Sequence, residues 1–226
     1  MAEASTRTVE RALALLATVC ESGGTNLVDS ARDCELAPST ALRLLRTLET
    51  TGFVTKDESG VYRPGGRIIQ LGAQALSNES LVDLTQPTMD AVVAATGESA
   101  YLSVRGHGDT ALYLNIVQGT HSVRHASWVG RTVPLDTSAA GHALRGDIPA
   151  EGYVVIGSGV EADVTAIACP VRSEARIVAA LSLVVPSYRL TAPDTARYGH
   201  ILGSAAAEVS ARLSRPAKPG PPEGQS

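Results

Sequence analysis

Between Leu36 and Lys56 the chain passes from a proline through two hydroxyls, four leucines and two arginines to a glycine, and no other stretch restricts the fold as much. Pro38 sets the φ angle of a first helical turn, and Ser39 and Thr40 can place hydroxyls at its amide end. Leu42, Leu45 and Leu48 recur every three residues, with Leu44 widening the apolar stripe. Arg43 and Arg46 are also three apart, so two cations share one flank of that helix. Gly52 stops it, and Phe53-Val54-Thr55-Lys56 reads as a strand. An amphipathic helix of this kind, small hydroxyls first and arginines further along, suits the major groove of DNA.

The flanking residues extend the pattern. Val9, Ala12, Leu13 and Leu16 share a helical face over residues 7–19, before the breaker pair Gly23-Gly24. A second amphipathic segment covers 27–34, with Leu27, Val28 and Ala31 apolar and Asp29, Arg32 and Asp33 polar. About four residues then lead to Pro38, a length suited to a helix-turn-helix. Residues 53–56 and 61–63 flank Asp57-Glu58-Ser59-Gly60, a hairpin signal. Three helices and a hairpin describe a winged helix, although Arg43 and Arg46 also fit a merely solvated face.

Charge limits the affinity of such a domain for DNA. Residues 1–66 hold seven Lys/Arg against nine Asp/Glu, and the whole chain has a net charge of -4. Non-specific affinity comes mostly from phosphate neutralisation, so binding needs a local basic face and more than one copy of the domain.

With 226 residues and 44% hydrophobic content, the chain can build one or two real cores. No apolar run approaches the roughly 20 residues of a membrane span, and no signal peptide precedes Thr6, so a soluble cytoplasmic protein is expected. Cys20, Cys34 and Cys169 are far apart in apolar or helical contexts and read as reduced thiols. The tail 214–226, with four prolines and two glycines, is expected to be disordered.

After the hairpin, Ile68, Ile69, Leu71, Ala73 and Leu76 give 66–78 a broad apolar face. A second helix covers 81–95, with Pro87 expected to bend or restart it and Gly97 to end it. The periodicity then changes to β-rich runs at 99–105, 110–117, 121–127, 153–157, 164–171 and 176–185, closed by a helix over 194–213. Strands between flanking helices predict a mixed α/β domain of α+β type, one antiparallel sheet with helices packed on it.

Several segments, in order, resemble the IclR family of bacterial transcriptional regulators, over about Thr6 to Leu213. Arg7-Thr8-Val9-Glu10-Arg11-Ala12-Leu13 resembles the first helix of the family, and Pro38-Ser39-Thr40-Ala41-Leu42-Arg43-Leu44-Leu45 its recognition helix. Tyr62-Arg63-Pro64-Gly65-Gly66-Arg67-Ile68 resembles the exit from the wing. Gly108-Asp109-Thr110-Ala111-Leu112-Tyr113-Leu114 and Val129-Gly130-Arg131-Thr132-Val133-Pro134-Leu135 resemble paired signatures of the regulatory domain. Ile167-Ala168-Cys169-Pro170-Val171 and Ala179-Ala180-Leu181-Ser182-Leu183 resemble its last two strands.

The resemblance implies a winged helix-turn-helix over 1–65, a linker helix over 66–80, and a GAF- or profilin-like effector domain over 81–213. It implies double-stranded DNA at a pseudo-palindromic operator, a small-molecule effector, and a homodimer or homotetramer. Expected DNA-binding residues are Arg7, Ser39, Thr40, Arg43, Arg46, Lys56 and Arg63. Expected effector contacts come from the loop after the Val-Pro-Leu strand end (Leu135, Ser138, Ala139), from the closing strands (Ala166, Ser182, Val184), and from the 121–127 strand (His121, Arg124). Ser138 and Ala139 would offer donors at a helix start, and an inward Arg124 would pair with a carboxylate, though a solvated strand edge accounts for it equally. Ala166 and Val184 stand at positions usually polar, so the pocket floor is expected to favour an aromatic or aliphatic acid or an amino-acid-like metabolite.

Two departures stand out. Asp136 and His142 occupy positions where members usually have His and Lys or Arg. Some tens of residues of helix usually precede the strand at Gly152-Tyr153-Val154, and only Arg145 to Ala150 stand here. A regulator that has lost ligand control is therefore one alternative, and a sensor or dimerisation module that does not bind DNA is another.

Enzyme chemistry finds little support. Cys169 has no fixed His or Asp near it in sequence, and a buried thiol accounts for it better than a nucleophile. His121 and His125 could share a strand face near His107, but no Cys pair or His-Glu motif completes a metal set. Gly106, Gly108, Gly157 and Gly159 lack the helix and lysine of a phosphate loop. Neither metal nor cofactor is expected.

Overall fold

The computed structural model describes residues 2–77, 80–124 and 128–214. The chain divides into two compact units, Met1–Glu79 and Ser80–Ser226.

The first unit runs α1 (Ala2–Glu21), α2 (Leu27–Asp33), α3 (Pro38–Thr50), β1 (Val54–Lys56), β2 (Tyr62–Pro64) and α4 (Gly66–Ser77). Its core is built from Leu15 and Val19 of α1, Ala31 of α2, Leu44, Leu45 and Leu48 of α3, and Val54 and Tyr62 of the hairpin. Two apolar faces differ from the sequence expectation. On α1 the inward residues are Leu15 and Val19, while Val9 and Leu13 are 56% and 58% exposed. On α3, Ala41, Leu44, Leu45 and Leu48 turn inward, and Leu42 sits half-buried among the polar residues of the other face. The spacing of three drifts around a helix of 3.6 residues per turn, so the buried stripe follows alternating steps of three and four.

The helix starts also follow local chemistry. Asn26 caps α2, its side-chain oxygen accepting from the Asp29 N–H at 2.9 Å. α3 begins at Ala37, which supplies no side-chain cap, with Pro38 in the first turn. The Ser39 and Thr40 hydroxyls therefore do not serve as the cap that the sequence suggested.

The second unit runs α5 (Ser80–Thr96), β3 (Ser99–Arg105), β4 (Thr110–Val117), β5 (Thr132–Pro134), α6 (Ala139–Arg145), β6 (Val154–Gly157), β7 (Val164–Ser173), β8 (Arg176–Pro186), a 3-10 turn (Ser187–Arg189) and α7 (Ala192–Leu213). Its six strands form one sheet in the order β5-β4-β3-β8-β7-β6, and every pair is antiparallel. α5 continues through Pro87, which lies exposed inside it. β8 is buried from Ala179 to Val185 because both sheet faces are covered. One face, with Leu102, Ile167, Leu181 and Leu183, packs on α5 and α7. The other, with Tyr101, Ala168, Ala180 and Val184, packs on the alanine-rich α6.

The strand expected over 121–127 is not formed at its described residues, 121–124. After β4 the chain is tied back toward the start of β3, the Gly119 N–H donating to Ser99 Oγ and the Thr120 N–H to the Gly97 carbonyl. The free edge of β4 is taken by the segment leading into β5: Tyr113 exchanges backbone hydrogen bonds with Gly130 and Arg131. Residues 125–127, with His125, lie outside the described residues, as does the tail beyond 214.

Glu98, 1% exposed, sits between α5 and β3 and is held bidentately by Arg189, both N–O distances being 2.8 Å. The same guanidinium donates to the Val123 carbonyl, and His121 Nε2 lies 3.6 Å from Glu98 Oε1. This cluster fastens 121–123 and the 3-10 turn to the start of β3.

Candidate functional site

One candidate surface is the outer face of α3. Ser39, Leu42, Arg43, Arg46, Thr47 and Thr50 border a shallow open groove along it. Arg43 and Arg46 are exposed, and neither forms an ion pair among the described residues. The Thr47 and Thr50 hydroxyls donate back to the carbonyls of Arg43 and Arg46, at 3.1 and 2.8 Å, which leaves their oxygens facing outward as acceptors. Positions 39, 43, 46, 47 and 50 follow helical spacing, so Thr47 and Thr50 belong to this face. Their signal was in the sequence: they continue the three- and four-residue steps from Arg43 and Arg46. Thr40 is half-buried beside the groove, and Arg7 is exposed on α1.

The hairpin braces its own cations. The Asp57 carboxylate accepts from the Ser59 N–H and hydroxyl, the Val61 N–H and the Arg63 guanidinium. Arg63 also reaches the Gly23 carbonyl at 3.3 Å, so it ties the hairpin to the end of α1. Lys56 lies over the Tyr62 ring, 5.4 Å from its centre. The Ser59 hydroxyl, then the Val61 N–H and Arg63, hold the Asp57 pKa below the ordinary carboxylate value. Because the folded pKa is depressed, this support is present above the unfolded value and is lost as pH falls through the folded one. Ser59→Ala should therefore raise the Asp57 titration midpoint seen by NMR. An unmoved midpoint would show that the hydroxyl is not the main cause.

The second candidate is a cavity on the α6 face of the sheet. Its walls are Tyr113 and Trp128 on one side and Ile156, Val164, Ala166 and Val184 on the other. Thr137 and Ser138 close the inner rim, and Gly159, Val160 and Glu161 form the mouth. The enclosed part is about 30 Å³, room for one or two waters, and free space including the mouth is about 350 Å³. Two glycines allow close backbone approaches around it. A Cβ on Gly141 would lie 2.4 Å from the Leu135 Cα, so only glycine lets α6 seat on that backbone. A Cβ on Gly159 would lie 2.3 Å from the Thr137 carbonyl oxygen, so the mouth loop lies directly on the rim. Gly159→Ala should push that loop outward, and faster amide hydrogen exchange over 158–163 would register it.

The expected effector residues are only partly brought together. Ser138, Ala166 and Val184 line the cavity. Ser138 caps α6, accepting from the Gly141 N–H at 3.0 Å and donating to the Pro134 carbonyl, so its hydroxyl is already used. Ala139 is buried in α6, and Leu135, also buried, borders a separate surface cleft with Arg105, Asp109 and Asp136. Ser182 is 1% exposed on the same sheet face as Val184, and its Oγ has no hydrogen-bond partner among the described residues. His121 and Arg124 are elsewhere. His121 faces Glu98, and the exposed Arg124 is turned to Gln118 Oε1 and the His121 carbonyl, at 3.4 and 3.3 Å. Without a 121–124 strand, nothing aims either side chain at the sheet face.

The sequence reading did not supply the aromatic side of the cavity. Tyr101, Tyr113 and Trp128 form a chain of tilted rings, with centroids 4.9 and 6.0 Å apart. Burial pushes the Tyr113 pKa up to about 12, so its hydroxyl stays protonated at neutral pH. Cys169 is buried beneath the opposite face, where burial pushes its thiol up to about 12, far from thiolate chemistry. Among the described residues no group of three or more His, Cys, Asp or Glu could hold a metal, and no helix is long and apolar enough to cross a membrane.

Comparison with known proteins places these features. Residues 8–58 match the IclR helix-turn-helix domain, and 73–146 and 146–211 match the C-terminal domain of bacterial transcriptional regulator IclR. The two C-terminal matches meet at Gly146, the left-handed residue that closes α6. The HTH-type transcriptional repressor AllR of Klebsiella pneumoniae is 30% identical over 155 residues, covering 68% of this chain and 57% of AllR. The transcriptional repressor IclR of Escherichia coli K12 is 29% identical over 148 residues, covering 64% of this chain and 54% of that protein. The chain thus spans little more than half the length of the curated relatives it matches. Among solved structures, an IclR regulator from Alicyclobacillus acidocaldarius aligns with a TM-score of 0.74 at 25% identity, covering 89% of this chain and 98% of that one. An IclR homolog from Microbacterium hydrocarbonoxydans, complexed with 4-hydroxybenzoate, aligns with a TM-score of 0.74 at 24% identity, covering 91% and 98%. With both domain types matched in order along most of its length, the chain belongs to the IclR family of transcriptional regulators, and not to an enzyme family.

Proposed function

We propose that this chain is a DNA-binding transcriptional repressor, acting in the cytoplasm as a dimer or tetramer, whose grip on a pseudo-palindromic operator is set by a small molecule in the α6-face cavity. The observation that carries the DNA part is the outer face of α3. Two exposed arginines and a row of hydroxyls stand at helical spacing on a helix whose opposite face is fully committed to the core. The acidic balance of the whole domain makes that local face, repeated in a second copy, the source of affinity. The repressor names of AllR and IclR support the direction of control, and the 4-hydroxybenzoate complex of the Microbacterium homolog supports an aromatic ligand class.

An electrophoretic shift with the DNA upstream of this chain's own coding region, at two salt concentrations, tests the proposal. A retarded complex that weakens steeply with salt is expected. No complex at low salt would leave the winged helix to a protein partner.

A second reading, a constitutive DNA binder, is favoured by the narrowness of the cavity, about 30 Å³ where enclosed. Ala166→Phe separates the two. Under ligand control, filling the cavity locks operator affinity in one state, whatever metabolites are added. In a constitutive binder the substitution leaves operator affinity unchanged, as do the metabolites.

A further inference from the structure

We infer that this chain reads its operator from the major groove alone, Arg43 meeting a guanine in each half-site, while its hairpin stays out of the minor groove. This rests on the reading of α3 as the DNA-binding helix. Donor chemistry selects the base. A guanidinium carries donors and no acceptor, in a planar fork. In the major groove only guanine offers two acceptors side by side, O6 and N7. Adenine sets a donor beside its acceptor, cytosine shows a donor, and thymine has one acceptor next to a methyl.

Position along α3 decides which arginine reads. The early residues of a helix docked in this way reach base edges, and the later turns run out toward the backbone. Arg43 lies in the first half of Pro38–Thr50, one turn after Ser39. Arg46 lies in the second half, with Thr47 and Thr50 along the same groove. Arg43 is exposed and holds no ion pair among the described residues, so its fork can turn to a base without breaking one.

The hairpin supplies the other half of the inference. An element that enters the minor groove brings an arginine or lysine to its negative potential, or an apolar wedge between base steps. The turn Asp57-Glu58-Ser59-Gly60 has two carboxylates and no cation. The two cations stand behind it on the strands: Lys56 over the Tyr62 ring at 5.4 Å, and Arg63 held by Asp57 at 3.1 Å and by the Gly23 carbonyl at 3.3 Å. No wedge projects either, since Val54 and Tyr62 are buried in the core and Val61 is half-buried. Carboxylates at the leading end repel the groove that the hairpin would have to enter.

Methylation interference on operator DNA from upstream of the coding region, read by gel shift at low salt, tests both halves. Dimethyl sulfate marks guanine at N7 in the major groove and adenine at N3 in the minor groove. A guanine in each half-site should block binding when methylated, and no adenine should. Replacing that guanine by 7-deazaguanine, which lacks only the N7 acceptor, should weaken the parent about tenfold. The same replacement should change the affinity of Arg43→Ala by less than about twofold, because the contact is already gone. Arg43→Met serves in its place if circular dichroism shows the first unfolded. Interference at an adenine N3, or a complex in which no guanine interferes, overturns the inference and leaves the DNA-binding reading standing. A 7-deazaguanine penalty as large in the Arg43 variant as in the parent takes Arg43 off the guanine and overturns it too. No complex with unmodified DNA at low salt overturns the DNA-binding reading and this inference with it.

Discussion

Arg189→Ala should cost the second unit about 3–5 kcal/mol of folding stability. Glu98 is 1% exposed, and the Arg189 side chain, 22% exposed, satisfies both of its carboxylate oxygens at 2.8 Å. Truncation leaves a buried anion with the His121 ring 3.6 Å away, and it also strips a donor from the Val123 carbonyl. The penalty is therefore desolvation without compensation, larger than the net worth of the pair itself. The double variant Glu98→Gln/Arg189→Met should recover much of the loss, since it removes the anion as well as its partner. Urea unfolding of parent, single and double variants measures the three values. A single variant within about 0.5 kcal/mol of the parent would mean that water reaches Glu98 freely.

Five of the six strands of the second unit, all but β5, were legible as β-rich runs because their signals are local. Ser99–Arg105 and Thr110–Val117 are β-rich runs bounded by turn residues, and they begin and end where the runs do. The run at 121–127 looked equally good, and its described part fails to pair because 130–134 already occupies the β4 edge. No local signal reports that competition for an edge. The same blindness hid the Glu98–Arg189 pair, whose members are 91 residues apart. It also hid the aromatic wall, because Tyr113 and Trp128, and the Tyr101 ring beside Tyr113, come from three separate segments. Ser138, Ala166 and Val184 fall on one cavity because each belongs to a recognisable strand or loop end. Arg124 did not, because its placement depended on the one strand that is not there.

The α3 face leads to the other large effect, Arg43→Ala. Arg43 stands exposed in the middle of the groove, one turn from Ser39 and one turn from Thr47, with Arg46 beside it. The core side of that helix is held by Ala41, Leu44, Leu45 and Leu48, so truncating Arg43 removes no buried contact and should leave the fold intact. An arginine that contacts base edges contributes about 1–3 kcal/mol per site. On a pseudo-palindrome two copies lose it together, and the combined weakening should reach about 2–6 kcal/mol. The operator shift should then fall from the parent midpoint by well over a factor of about ten. Arg46→Ala separates the two kinds of contact: a phosphate partner lost there lowers the salt slope by about one per copy and weakens all sequences alike. Leu42 gives a control on the same face, because its half-buried side chain can meet a thymine methyl but cannot neutralise a phosphate, so Leu42→Ala should leave the salt slope unchanged. If Arg43→Ala binds the operator as the parent does, with helical content preserved, then α3 does not read the DNA.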